Sequence, residues 1–264
     1  MAQYACNYEI AVDAKHIIAH PHDQGGRYSE FANLRIVAYD FEVVSNVKGE
    51  FPRVKRDPIN QASLIGVCMD DMSTTVDIII AVGSCTPIAN SIVYECSNEG
   101  QLITTFARLL RHLDPDVLVS YNGNTFDAPY IYERCEWLLA NGYVFDGYEA
   151  GTHPMQSIGR KKGSKASGVW QHQFNSNARG QSVNTRLDAA GIVSIDLMEL
   201  IGIDFKLDSK SLNAVSDRFL KESKLDINHS QVKTMQFAGP ETRRRIAVYC
   251  IKAVSYTHLR AHET

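Results

Sequence analysis

Two acidic residues, Asp40 and Glu42, interrupt the apolar stretch RIVAYDFEVV at residues 35–44. Its β-branched composition predicts a strand, and residues i and i+2 of a strand point to the same face. The two carboxylates therefore repel each other on a face that carries no lysine or arginine, and that face is costly to bury. A hard divalent cation such as Mg²⁺ accounts for the pair best, because it prefers carboxylate oxygen. The chemistry that this predicts is phosphoryl transfer with two ions about 3.5–4 Å apart.

Three more residues could join this acidic pair. Asp127 lies at a predicted strand-to-helix junction in YNGNTFDAPY, five residues after Asn122, and Asp196 lies inside the apolar strand of VSIDLM. Tyr249 is on a predicted C-terminal helix, where position 253 lies one turn further along the same face. Each has a structural alternative, because Asp127 could cap a helix, Asp196 could be a hydrogen-bonded group near a strand end, and Tyr249 could be a core side chain.

The predicted elements that would position these residues alternate between strands and helices. Strands are expected at 8–12, 33–44, 61–69, 76–84, 91–96 and 191–200, and a turn followed by a short buried strand is expected within 114–122. Helices are expected at 99–113, 126–142, 211–220 and 241–252. Residues 150–188 are basic and rich in Gly, Ser and Asn, which is typical of a long loop or a protruding hairpin. The pattern predicts one α/β domain with a mixed sheet flanked by helices.

Composition limits the classes of protein that fit. The chain has 264 residues, 44% of them hydrophobic and 22% charged, which is ordinary for a globular protein. The net charge of −3 does not indicate a nucleic-acid binder, but it does not exclude a local basic surface. The six cysteines show no CxxC or His/Cys cluster, which argues against a zinc site and a disulfide scaffold. With no signal peptide and only short apolar runs, we expect an intracellular soluble protein.

Three motifs in order resemble those of the family B DNA polymerases. YDFEV resembles the first exonuclease motif, DPDVLVSYNGNTFDAPYIYER the second, and the helix of RRRIAVYCIK the third, which is Tyr-x(3)-Asp. GEFP and RDP after the first motif and SLNAVSDRFL before the third also match. Within the family the resemblance is to delta-type replicative catalytic subunits, and it covers about residues 6–252.

The resemblance implies an RNase H-like fold and a 3′→5′ proofreading exonuclease that acts on a single-stranded or frayed 3′ end of primer DNA. It implies that Asp40, Glu42 and Asp127 hold two Mg²⁺ ions, with Mn²⁺ as a substitute, and that Tyr249 orients the attacking water. It assigns Asp196 a supporting role. Substrate contacts are implied for Asn122, Phe51, Phe126 and Lys224. The remainder of the polymerase chain would be a partner, and the location would be the nucleus if the source is a cellular eukaryote, with a viral origin left open.

One departure from the family affects the predicted metal site. The third motif should place Asp at position 253, and this chain has Ala253. The alternative function is a catalytically inactive module that binds single-stranded nucleic acid or has a structural role, but such a module would be expected to lose several carboxylates, and the three intact acids favour the exonuclease. We expect residues 1–33 to be a partial N-terminal domain or linker and 34–252 to be the exonuclease domain. Residues 253–264 resemble a translated sequencing adapter and are expected to be a non-native tail.

Overall fold

A mixed six-stranded sheet forms the centre of the protein. The computed structural model describes residues 10–20, 32–47, 49–69, 73–160, 167–176, 180–220, 227 and 229–259. The strands are β1 (Arg35–Val43), β2 (Ile59–Cys68), β3 (Thr74–Val82), β4 (Ile92–Cys96), β5 (Val117–Ser120), β6 (Ser167–Ser176), β7 (Gly180–Ala189) and β8 (Val193–Asp196). The sheet order is β4-β3-β2-β1-β5-β8, and β6 and β7 form a separate antiparallel hairpin. Within the sheet, β1 runs antiparallel to β2 and parallel to β5, which confirms the predicted mixed sheet.

Helices cover both faces of this sheet. They are α1 (Glu99–Leu113), α2 (Asp127–Ala140), α3 (Leu197–Asp204), α4 (Leu212–Leu220), α5 (His229–Ala238) and α6 (Pro240–Leu259). Alternation along β1 divides its side chains, since Val37, Tyr39 and Phe41 belong to the core cluster that includes α1 and α2. Ile36 and Ala38 belong to the opposite cluster, which includes residues of α3, α4 and α6. Asp40 and Glu42 continue the second set, so they lie on the face that α6 covers.

The sequence predicted the bounds of α1 correctly because its end signals are strong. Asn98 caps the helix by accepting a hydrogen bond from the backbone N–H of Gln101 at 3.0 Å, and Leu102, Phe106 and Leu110 lie buried at helical spacing. At the other end Asp114 adopts a left-handed conformation with φ 45°, which stops the helix.

Several predicted elements need correction. The strand expected over 191–200 ends at Asp196, where the side chain accepts from the Met198 N–H and starts α3. Helix α5 was not predicted, and α6 extends to Leu259 instead of ending at 252. Residues 10–12 of the expected strand over 8–12 have no regular structure, and residues 8 and 9 lie outside the described part. The loop-or-hairpin alternative for 150–188 resolves as the hairpin of β6 and β7.

Candidate active site

An open cleft of about 920 Å³ lies where the end of β1, the loop after it, the start of α2 and the middle of α6 meet. It brings together most of the side chains that the sequence predicted to act together. The predicted residues that line it are Asp40, Glu42, Phe51, Asn122, Phe126, Asp127 and Tyr249, and Ala253 lines it with them.

Strand β1 places the two acids of the first motif. Asp40 is opposite Ser63 of β2, and Glu42 is opposite Gln61, after which the register shifts at Val43. Asp40 is partly exposed, whereas Glu42 is buried. The two-residue spacing on one strand therefore keeps both carboxylates on the α6 side of the sheet, as predicted from the period of a strand.

Asp127 is the first residue of α2, but it does not cap the helix. Its Oδ1 atom instead accepts a hydrogen bond from the backbone N–H of Phe41 at 3.1 Å, so it is tied to the strand that carries the first motif. The side chain is only 4% exposed. Burial, followed by the charge of Asp40, raises the pKa of Asp127 well above its usual value, and the charge of Glu42 adds to this. The interpretation of Asp127 as a simple helix cap is therefore wrong.

Asp196 lies behind the cleft and does not line it. Its carboxylate accepts from the backbone N–H groups of Asn122 at 2.9 Å, Asn124 at 3.0 Å and Met198 at 3.0 Å. This agrees with the alternative of a hydrogen-bonded group at a strand end. The contact also fixes the turn that carries Asn122, whose φ of 61° is in the left-handed region.

Helix α6 supplies Tyr249 and Ala253, which are both buried against the cleft, and a third side chain that the sequence analysis missed. The Sγ atom of Cys250 lies 3.6 Å from Oδ2 of Asp40 and 3.1 Å from the Ser63 hydroxyl. One donor atom each from Asp40, Glu42 and Cys250 lie within 4.8 Å of one another. No spacing pattern predicts this group, because Asp40 and Cys250 are 210 residues apart.

Two aromatic side chains form one wall of the cleft. Phe51 is 73% exposed, and its ring meets that of Phe126 edge-on with a centroid distance of 5.2 Å. The ring of Phe126 in turn contacts that of Tyr130, with a centroid distance of 5.1 Å. An exposed aromatic ring supported from behind is suited to stacking on a nucleic-acid base.

The basic side chains include one with an expected role and others without. Lys224 lies outside the described residues. Arg160, which the sequence places in a basic segment, forms ion pairs with Asp114 and Asp116, each at 2.7 Å. Two other basic side chains, Lys210 and Lys233, line the cleft, although no sequence motif singled them out.

The acidic side chains fit a divalent cation by their chemistry. Asp40, Glu42 and Asp127 line one cleft, and the raised pKa of Asp127 reflects their mutual repulsion as well as burial. At position 253 the side chain that lines the cleft is a methyl group, so this part of α6 offers no oxygen ligand. The residues present thus fit the chemistry of a divalent-cation site, and the set of oxygen ligands has a gap at position 253.

Comparison with known proteins agrees with this geometry. Residues 3–215 match the model of the DNA polymerase family B exonuclease domain. Over 247 residues, or 94% of this chain, the sequence is 32% identical to the DNA polymerase delta catalytic subunits of Caenorhabditis elegans and Candida albicans, and 31% identical to that of Bos taurus. The match covers 21–22% of those proteins, so the chain spans about a fifth of their length.

Proposed function

The chain belongs to the family B DNA polymerases and comprises their RNase H-like exonuclease domain, and on that premise we propose that it is a 3′→5′ proofreading exonuclease portion of a delta-type replicative polymerase. The reaction would be metal-dependent hydrolysis of the terminal phosphodiester at a single-stranded or frayed 3′ end. The observation that carries the proposal is that Asp40, Glu42, Asp127 and Tyr249 line the same cleft as the aromatic wall of Phe51 and Phe126.

Each residue has a role that its position supports. Asp40, Glu42 and Asp127 would hold Mg²⁺ or Mn²⁺, and the hydroxyl of Tyr249 would orient the attacking water. A divalent ion bound there would lower the pKa of that water and stabilise the charge on the leaving oxygen.

Other side chains would bind the substrate. Phe51 and Phe126 would stack on the terminal bases, while Asn122, held by Asp196 through its backbone N–H, would contact the strand. We propose Lys224 as a phosphate contact, and the only support for this role is the family resemblance. Stacking accepts any base, so we expect little sequence preference.

Ala253 supports a second candidate function. The two-ion reaction needs both ions in place, and a methyl group at 253 would leave one of them poorly held. The chain as it stands would then bind single-stranded DNA and hydrolyse it very slowly or not at all.

The test compares this chain with its Ala253→Asp variant on a primer with a mismatched 3′ end in Mg²⁺. We expect the variant to be faster by about a hundredfold, because a misplaced reacting group typically costs that much. Lys252→Asp is the matched control, since it adds a carboxylate one position earlier, and it should not raise the rate. Adding Asp40→Ala to Ala253→Asp should remove the gain.

Equal rates for the parent chain and the Ala253→Asp variant would contradict the proposed metal site. Equal digestion of paired and frayed ends would contradict the proofreading specificity.

The wider setting is also a proposal. We propose that 34–252 is the exonuclease domain, that 1–33 belongs to a preceding domain or linker, and that 253–264 is a non-native tail, which sequencing of the parent transcript past codon 252 would test. The partners would be primer DNA and the remainder of a polymerase chain, in the nucleus if the source is a cellular eukaryote. Among the described residues, no helix has the length and apolar character that crossing a membrane requires.

A further inference from the structure

The loop between β1 and β2 forms a large part of the cleft wall. Residues 45–47 and 49–52 line the cleft, and Phe51 is at the tip that faces the aromatic ring of Phe126. Gly49 has a φ of 80°, in the left-handed region that glycine adopts without strain.

One buried carboxylate joins the two sides of this loop. Asp57 is fully buried, and its Oδ1 atom accepts from the backbone N–H of Asn46 at 2.7 Å, on the side of the loop before Phe51. Its Oδ2 atom accepts from the backbone N–H of Arg53 at 2.9 Å, on the side after Phe51. The guanidinium of Arg56 donates to both oxygens at 2.9–3.1 Å.

The same loop is fastened from behind by α2 and α1. The hydroxyl of Tyr130 donates to the backbone oxygen of Asp57 at 2.7 Å, and Tyr130 also contacts the ring of Phe126. Arg134, paired with buried Glu99 at 2.8 Å, donates to the backbone oxygen of Val54. Tyr130 and Arg134 lie four residues apart on α2. Tyr130 packs against Phe126, and both side chains bind the backbone of the loop that carries Phe51.

We propose that Asp57 is a positioning residue that holds Phe51 in place to receive the 3′-terminal base. It acts through the loop backbone, because neither of its oxygens lines the cleft. An exposed ring on an untethered loop would lose conformational freedom when it stacks on a base, whereas the tethered loop has given up that freedom before binding. The inference rests on the proposed function in one respect, namely that the cleft takes a DNA end.

The experiment measures binding in EDTA, so it does not depend on hydrolysis. The probe is a single-stranded oligonucleotide with 2-aminopurine as its 3′-terminal base, whose emission is quenched when an aromatic ring stacks on it. We expect Phe51→Ala and Asp57→Asn each to weaken binding by about tenfold and to reduce the quenching. In the double variant binding should be weakened only as much as in Phe51→Ala alone, since coupled residues are not additive.

Two more variants separate positioning from general stability. Asp77→Asn is the matched control, because Asp77 is on β3, does not line the cleft and accepts a hydrogen bond from the Ser91 hydroxyl. This variant should bind the probe like the parent. Tyr130→Phe removes only the hydroxyl behind the loop, so it should weaken binding in the same direction and less. Trypsin should cleave Asp57→Asn faster than the parent after Arg53, Lys55 or Arg56, and melting curves should show that each variant is folded.

The outcomes distinguish the two proposals. If the parent binds the probe and Asp57→Asn binds it equally well, or if the effects of Asp57→Asn and Phe51→Ala simply add, the role of Asp57 is overturned and the proposed function stands. If Asp57→Asn does not fold, the Tyr130→Phe variant decides in the same way. If the parent does not bind the probe at all, both proposals are overturned.

Discussion

Burial of carboxylates sets the electrostatics of the cleft at the level of single residues. Asp127 is almost inaccessible to water and is tied to Phe41, so its ionised form is costly unless a cation compensates. Asp40 and Glu42 add negative charge on the neighbouring strand. A divalent cation would reduce the repulsion among all three carboxylates. Metal binding is therefore the property that tests this account most directly.

The first prediction concerns Asp40→Ala combined with Glu42→Ala. We expect Mg²⁺ or Mn²⁺ to raise the melting temperature of the parent chain, because a ligand that binds only the folded state stabilises it by about 2.7 kcal/mol at a hundred times its dissociation constant. In the double variant this rise should disappear, and without metal the variant should be no less stable than the parent, because two repelling charges are gone.

Scanning fluorimetry at increasing metal concentration measures both effects. Asp146→Asn is a suitable control, since the Asp146 side chain is largely exposed, and it should keep the full rise. A double variant that responds to metal like the parent would move the ion site elsewhere.

Among the helices, strands and their connections, Arg160 links three chain segments. It pairs with Asp114 at the end of α1 and with Asp116 before β5, and its backbone N–H donates to Ala190 after β7 at 2.7 Å. Its Nη1 atom also donates to the backbone oxygen of Gly191 at 3.1 Å. Arg160, which belongs to the basic segment 150–188, therefore has a structural role in joining these segments.

The second prediction separates Arg160 from the lysines that follow it. Arg160→Gln should lower the melting temperature by about 2–4 °C, as expected for a destabilisation near 1 kcal/mol in a protein of this size. It should leave unchanged the slope of log affinity against log salt for single-stranded DNA. Lys161→Gln with Lys162→Gln should reduce that slope by about 0.7 for each phosphate that is no longer neutralised. A slope changed by Arg160→Gln and not by the lysines would reverse this assignment.

Across the whole molecule, buried polar groups outside the cleft set the response to pH. His153 is buried, its Nε2 atom lies 3.1 Å from the backbone oxygen of Tyr132, and its Nδ1 atom has no hydrogen-bond partner among the described residues. Burial lowers the pKa of His153, because the charged form of the ring is costly away from water.

The third prediction is that acid destabilises the fold through His153. The unfolded chain takes up a proton near pH 6.5, whereas the folded chain resists it, so the unfolded state binds more protons below that pH. The free energy of unfolding should therefore fall as pH decreases from about 6.5 towards the lowered pKa, by up to about 1.4 kcal/mol per pH unit.

Urea unfolding at pH 5, 6 and 7 measures this slope. His153→Gln keeps an amide that can donate to the backbone oxygen of Tyr132, and it should reduce the dependence of the free energy of unfolding on pH. His112→Gln, on the exposed side of α1, should leave that dependence unchanged. Equal slopes for the parent chain and His153→Gln would show that other groups cause the acid sensitivity.

Features that depend on local periodicity were predictable from the amino-acid sequence. The two-residue spacing of Asp40 and Glu42 fixes a shared face of β1 in any fold that keeps the strand, and Asn98 and Asp114 stand at the two ends of the apolar repeat of α1. The order of the three motifs is enough to indicate the family. Ala253 can likewise be recognised in the sequence, because it replaces the Asp of the Tyr-x(3)-Asp motif, which spans a single helix turn.

Features that depend on contacts between distant segments emerged only in the folded protein. The apolar repeat of α5 is hard to recognise in the sequence because a polar residue interrupts it. That residue is Gln236 on the buried face, whose side-chain amide forms hydrogen bonds with Val82 and Gln61. The end of β8 at Asp196 depends on a carboxylate that bonds residues 72–74 positions away. Cys250 beside Asp40, and Asp57 beneath Phe51, have no periodic signal, since their partners are set by how α6 and the loop after β1 pack against the sheet.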